Sequence, residues 1–187
     1  MLAPNVVLAW ILFAAAAFLI YFFLSGLLWG SGYSPTPKRQ LEAAGVLLQL
    51  KEGDTVYDLG SGLGRAIIFF AKKYRVTTVG VEIDPLRRCV TKWNAKREGV
   101  SANVRVLRCN LLDADLKGAS KVFFFLTPLL MRRLQEKVAK EMRAGALVVS
   151  VDHRFPDWKP LESVENVHLY VVGQYVGSQI AAAPENN

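Results

Sequence analysis

A strand that runs into a glycine-rich turn and then into a helix constrains this chain more than any other feature. In Thr55 to Arg65, TVYDLGSGLGR, the residues Val56 and Tyr57 lie in an apolar run that predicts a buried strand. Asp58 follows, then Gly60, Gly62 and Gly64 in tight alternation. Ala66 to Tyr74, AIIFFAKKY, has the apolar spacing of a helix. An α/β sheet holds a nucleotide-like ligand at such a junction. Glycine is needed there because it allows backbone angles and a close approach that a Cβ would block.

The spacing separates two ligand classes. A dinucleotide fingerprint, G-x-G-x-x-G, uses its third glycine to pack the helix against the strand. In this chain that glycine comes one position early, and Arg65 stands where the dinucleotide pattern takes a small residue. The form D-x-G-x-G-x-G resembles instead the first motif of Rossmann-type S-adenosylmethionine-dependent methyltransferases. A plain glycine turn in some other α/β protein is the competing reading.

Upstream, Val6 to Trp29 carries no charge, a run of roughly 24 apolar or small residues and long enough to cross a bilayer as a helix. Trp10 near one end, with Tyr21 and Trp29 toward the other, suits aromatic anchoring at the two interfaces. A cleaved secretory signal would need a basic leader and a shorter apolar core, and MLAPN has no basic side chain. Residues 1–29 therefore predict an uncleaved single-span anchor, with 6–29 in the bilayer. Lys38 and Arg39 are the first charges after it, so the positive-inside rule puts the N-terminus outside and the C-terminal domain in the cytoplasm. The anchor also inflates the hydrophobic content of 52%.

The net charge of +7 suits an anionic membrane surface or a nucleic acid, and a solvated basic face is the plainer reading. No known nucleic-acid module is present, which argues against nucleic acid as a partner. Cys89 and Cys109 have no metal-ligand spacing. No metal is expected, and a reducing cytoplasm predicts free, partly buried thiols.

Gly30 to Pro37, GSGYSPTP, reads as a linker. Residues 38–180 follow as one domain and 181–187 as a disordered tail. Pro37 suits the first turn of a helix to Leu50, with Thr36 as its cap. Thr77 to Ile83 predicts a second strand with Glu82 near its C-terminal end. That is about 20 residues from the glycine turn, where a carboxylate can accept both ribose hydroxyls. Asp84-Pro85 opens a helix to about Gly99, whose Arg87, Arg88, Lys92, Lys96 and Arg97 read as a solvated face. Val104 to Cys109 is the third strand, and Asn110 to Asp113 the loop after it. Asn110 is either a contact to the adenine amino group or an ordinary turn asparagine.

Lys121 to Leu126 predicts a fourth strand buried on both faces, Leu129 to Arg143 a helix, and Ala146 to Asp152 a fifth strand. Pro156, Trp158 and Pro160 exclude a further helix, and Ser163 to Gly177 predicts two closing strands. The expected fold class is α/β: a Rossmann-like seven-stranded methyltransferase sheet with a C-terminal antiparallel hairpin, preceded by one N-terminal transmembrane helix. A dinucleotide dehydrogenase would need more chain for a substrate domain.

The segments YSPTP, DLGSGLGR, GVEIDP, FFFLTPLLMRRLQEKVAKEM and VVSVDHRFPDWKP are similar to a family of small protein-lysine methyltransferases. That family includes soluble archaeal enzymes of broad lysine specificity. It also includes membrane-anchored mitochondrial relatives that methylate a lysine of the c-ring protein of ATP synthase. The resemblance covers nearly all of Tyr33 to Tyr175, and RFPDWKP and YSPTP are its more specific parts. One position departs: the family's usual aspartate between the last two glycines of the loop is Leu63 here. That exchange would loosen the hold on the methionine amino group.

The resemblance implies S-adenosyl-L-methionine as cofactor, cradled by Asp58, Gly60, Ser61, Gly62 and Gly64. Glu82 would take the ribose hydroxyls, Asn110 and Leu111 the adenine, and Tyr33 and Thr36 would cover the cofactor. Thr127, Pro128, Phe155 and Trp158 would line a lysine channel. The implied partner is a protein with an accessible lysine, membrane-associated if the anchor serves to bring enzyme and substrate together. In a eukaryote the place would be the matrix face of the mitochondrial inner membrane.

Methyl transfer from a sulfonium needs a neutral amine in line with the S–CH3 bond, so positioning carries the reaction. An apolar channel and the sulfonium charge both favour the neutral lysine amine, and no single general base is expected. Asp152 is a polar candidate near the channel mouth, and His153 is a proton acceptor or a structural histidine. Nucleic-acid amino methyltransferases of this fold carry an N-P-P-aromatic motif after the fourth strand, where this chain has Leu126-Thr127-Pro128-Leu129. Cytosine C5 methylation needs a cysteine there, and neither cysteine is. An aliphatic amine acceptor is expected on both counts. The alternatives are an RNA or small-molecule acceptor, or a non-catalytic membrane-tethered cofactor-binding module.

Overall fold

The computed structural model of the chain describes residues 3–28 and 34–174. The chain divides into two compact units, Met1–Ser34 and Pro35–Asn187. In the first, helix α1 spans Pro4–Leu28. Its Pro4–Tyr21 stretch has a mean hydropathy of 2.0 and buries none of its residues within the protein. A helix apolar on every side and exposed along that stretch has the length and composition of a membrane span.

The second unit is a three-layer α/β sandwich. Its elements are α2 (Lys38–Leu47), β1 (Thr55–Leu59), α3 (Arg65–Tyr74), β2 (Thr77–Val81), α4 (Pro85–Arg97), β3 (Val104–Leu107), β4 (Lys121–Phe124), α5 (Pro128–Glu141), β5 (Leu147–Val151), β6 (Glu162–Val164) and β7 (Val167–Val171). The seven strands lie in the order β3-β2-β1-β4-β5-β7-β6. Strands β1 to β5 run parallel, and β7 inserts antiparallel between β5 and β6. A mixed seven-stranded Rossmann-like sheet closed by a hairpin is the expected architecture.

Strand alternation divides the core between the two faces of the sheet. Val56, Phe123, Val149 and Leu169 pack with Leu41 and Leu48, and with Phe70 of α3. Leu59, Val122, Phe124, Val148 and Tyr170 pack with Met131, Leu134 and Val138 of α5. Burying a side chain such as Phe123, 1% exposed, contributes about 1.5–3 kcal/mol by removal of apolar surface from water.

Several local expectations need correction. The cap of α2 is Pro37, with no side-chain hydrogen bond from Thr36, and the helix ends at Leu47 rather than Leu50. Gln49 has φ +49°, a left-handed angle that stops α-helical propagation. Strands β2, β3 and β4 each end two residues before the apolar run does, because the chain leaves the ladder there to build loops. The hairpin turn falls on Glu165 and Asn166, at φ +53° and +61°. Two successive left-handed residues match the twist of paired strands. Arg87 is not solvated but 5% exposed. Cys89 is exposed rather than partly buried, and Cys109 is half-buried; both are free thiols.

Candidate active site

In an open α/β sheet, ligands bind beyond the C-terminal ends of the strands where the strand order reverses. Here that point lies between β1 and β4, since β1 leads to β2 on one side while β4 lies on the other. Three loops converge there. A Cβ added to Gly60 would lie 2.9 Å from Leu126 Cδ2, past β4, and 4.0 Å from Leu111 Cδ2, past β3. Gly60 also has φ +84°. Its hydrogen therefore keeps open a cradle that any side chain would fill.

The glycine loop is held in place by three neighbours. The Gly60 and Ser61 N–H groups donate to the Val81 carbonyl at 2.9 and 3.0 Å, and Gly64 N–H donates to Ser61 O at 2.8 Å. Glu82 Oε2 accepts the Gly62 N–H at 2.8 Å, and its Oε1 accepts the Asp84 N–H at 2.9 Å. Asp84 in turn caps α4, accepting from Leu86 and Arg87 N–H at 2.8 and 3.1 Å. Its Oδ2 lies 3.5 Å from Arg87 Nε, in a pair almost fully shielded from solvent. Helix α4 then returns to the loop, where Thr91 Oγ1 donates to Gly62 O at 3.0 Å and Asn94 Nδ2 to Leu63 O at 3.4 Å. The Glu82–Asp84–α4 path thus closes a ring around the loop.

Two acids are buried at this point. Asp58 is 3% and Glu82 5% exposed. Burial raises the Asp58 carboxyl to about 8, and the Glu82 charge pushes it the same way. Burial also raises Glu82, opposed by the N–H groups of Asp84 and Gly62 and by the Arg87 charge. An unfolded aspartate ionises near 3.8. Between about 3.8 and about 8 the unfolded chain is ionised at Asp58 while the folded one keeps its proton. Stability contributed through this group must therefore fall as pH rises across that window and level off above it. Urea unfolding at a series of pH values should show this slope, and Asp58→Asn should remove it.

The sequence profile of the ANTKMT methyltransferase domain matches residues 58–162, more than half of the chain. The chain belongs to that family. The protein-lysine N-methyltransferase of Saccharolobus islandicus is 32% identical over 76% of this chain and 94% of its own length. The human lysine N-methyltransferase of the ATP synthase c-ring protein is 30% identical over 79% of the chain and 64% of its own length, so the chain spans less than two thirds of that relative. Mouse adenine nucleotide translocase lysine N-methyltransferase is 32% identical over 83% and 72%. A crystal structure described as an RNA methyltransferase from Salinibacter ruber with S-adenosyl-L-homocysteine superposes with a TM-score of 0.74. Its identity is 31%, over 78% of this chain and 98% of that one.

The remaining candidates of this ANTKMT-family domain are distributed around the same sheet edge. Asn110 is exposed, and its Oδ1 accepts the Leu112 N–H at 3.0 Å in a local turn. Thr127 precedes α5 without capping it, and its Oγ1 is buried with no hydrogen-bond partner. Pro128 is exposed. Asp152 has φ +62° and accepts from Gln40 Nε2 at 2.9 Å, and His153 beside it is half-buried. Phe155 and Trp158 are 2% and 8% exposed. Their rings pack together at 5.1 Å, and Phe155 packs on Tyr170 at 4.8 Å and Phe124 at 5.6 Å. This aromatic cluster lies in the core as a support, without open surface of its own. Thr36 is 6% exposed, and Tyr33 lies outside the described residues.

Sequence reasoning passed over four residues that shape the loop: Asp84, Arg87, Thr91 and Asn94. Asp84 had a signal, an aspartate directly before a proline at a helix start, which is a capping pattern. The other three act across about 25 to 30 residues of chain through the packing of α4, and no local pattern marks them.

Proposed function

We propose that this chain transfers the methyl group of S-adenosylmethionine to the ε-amine of a lysine on a membrane protein. The glycine loop flanked by two buried acids at the switch point carries this reading. The site fits that cofactor. Gly60 leaves a cradle, Ser61 Oγ and Thr127 Oγ1 are buried without a partner, and Asp58 and Glu82 repel each other in the absence of a cation. When bound, S-adenosylmethionine supplies an electrophilic methyl group on a cationic sulfur, together with an ammonium.

Asp58, Gly60, Ser61, Gly62 and Gly64 would hold the methionine and ribose part. Each Glu82 oxygen already accepts one backbone N–H and keeps further lone pairs for the ribose hydroxyls. Asn110 and Leu111 would meet the adenine, with Tyr33 and Thr36 over it. Thr127, Pro128, Asp152 and His153 would surround the acceptor amine, with Phe155 and Trp158 beneath them. Desolvation in that setting keeps a lysine amine neutral, and orientation does the rest. A cation beside Asp58 favours its carboxylate, so cofactor binding should release a proton and tighten as pH rises toward about 8. Titration calorimetry in buffers of different ionisation heat would read that proton.

The lysine acceptor rests on the three relatives named as lysine methyltransferases. Transfer of labelled methyl to a membrane-protein band, at lysine by mass spectrometry, tests it. The Salinibacter ruber structure favours a second reading, an RNA acceptor; label on RNA instead of protein would establish that one.

The membrane association rests on α1. In this reading residues 1–29 anchor the chain, 30–37 link, 38–180 form the cytoplasm- or matrix-facing domain, and 181–187 trail as a tail. Tethering raises the effective concentration of a membrane-bound substrate. The full chain should resist alkaline extraction from membranes, and removal of residues 1–29 should release it and lower methylation of membrane proteins. Undiminished methylation after that truncation would refute the role of the anchor.

A further inference from the structure

Helix α4 has two opposed faces. Arg87, Thr91 and Ala95 are buried, and Thr91 and Asn94 grip the glycine loop. On the other side Leu86 and Trp93 are 36% and 58% exposed, and Cys89 lies between them in the open. Spacings of three and four residues place these side chains in one stripe. Lys92, Lys96 and Arg97 are exposed along the same stripe. The Arg97 guanidinium lies 4.5 Å from the centroid of the Trp93 ring. The helix contains no acidic residue, and Glu98 just beyond it is neutralised by Lys72 at 2.7 Å.

We propose that this face of α4 is an interfacial surface that docks on an anionic lipid bilayer. An apolar and aromatic stripe bordered by cations is the pattern of a helix lying in a headgroup layer. All charged residues of the chain lie at or after Lys38, so the net +7 belongs wholly to the second unit. Single-stranded nucleic acid takes a groove that tracks its backbone, whereas the α4 stripe is the convex surface of one helix and suits a planar partner. Because the opposite face bonds the glycine loop, docking would hold the cofactor site at the level of the lipid headgroups.

Cys89 offers the probe. Cys109 is half-buried and burial raises its thiol, so one equivalent of a maleimide fluorophore at neutral pH labels Cys89. The labelled full chain is placed in nanodiscs of phosphatidylcholine, with or without phosphatidylserine, that carry a headgroup-level lipid quencher. Quenching with phosphatidylserine at low salt, lost at high salt and in Lys92→Gln/Lys96→Gln/Arg97→Gln, is the expected result. Losing three cations weakens contact on the order of 10²-fold at about 1 kcal/mol each. Equal quenching in neutral and anionic discs, or none in either, overturns the proposal. So does binding of a short single-stranded RNA that the triple variant abolishes, without lipid-dependent quenching. A chain that fails to enter neutral discs at all refutes the anchor instead, and added anionic vesicles then decide the α4 face alone.

Discussion

Glu82→Ala is expected to lower methyl transfer by roughly 10³-fold and to remove measurable cofactor binding. Its two oxygens accept the Gly62 and Asp84 N–H groups at 2.8 and 2.9 Å, and the residue is 5% exposed. Alanine orphans both donors in a buried site, and each hydrogen bond to a charged group contributes about 1.5–3 kcal/mol. The loop then loses its link to Asp84 and α4, and the ribose hydroxyls lose their acceptor. Titration calorimetry with S-adenosylhomocysteine and a labelled-methyl assay measure the two effects. Glu82→Gln keeps one carbonyl acceptor and should fall between wild type and alanine. Activity of Glu82→Ala within tenfold of wild type would remove Glu82 from the cofactor site.

Gly64→Ala is expected to destabilise the domain by about 2–4 kcal/mol, from a left-handed residue and from overpacking. Gly64 has φ +82°, and its added Cβ would run into the Thr91 side chain, Cγ2 first. For a domain of this size the melting temperature should drop by roughly 5–15 °C. Thr91→Ser removes the obstructing methyl and keeps the hydroxyl that donates to Gly62 O. The double variant should therefore recover the steric part of the loss and retain the backbone part. Differential scanning calorimetry of the four proteins separates the two. Full stability in Gly64→Ala alone would mean that the loop does not hold this conformation.

These predictions concern residues that were legible to different degrees. Gly64 and Glu82 stood out because their signals are short-range: an alternation of glycines after an apolar run, and an acid one strand later. The β1–α3 junction and the apolar helix α1 were readable for the same reason, since both depend on spacing along one continuous segment. Thr36 shows the limit. It has a capping residue's side chain, yet Pro37 takes that position and Thr36 is buried. Arg87 shows it again, since its basic neighbours suggested a solvated face and only the packing of α4 places it beside Asp84.

By itself the amino-acid sequence determined the order of strands and helices, the glycine cradle, the acid at the end of β2 and the apolar N-terminal helix. Those features follow from side-chain period and local backbone freedom, which neighbouring residues decide among themselves. Only the tertiary structure decided that β7 lies between β5 and β6 and that Phe155 and Trp158 support the site from the core. It also decided that Gln40 reaches Asp152 across 112 residues and that Thr91 closes the loop opposite Glu82. Contacts of that kind exist only once the sheet has chosen its order and the helices have packed against it, so no spacing along the chain encodes them.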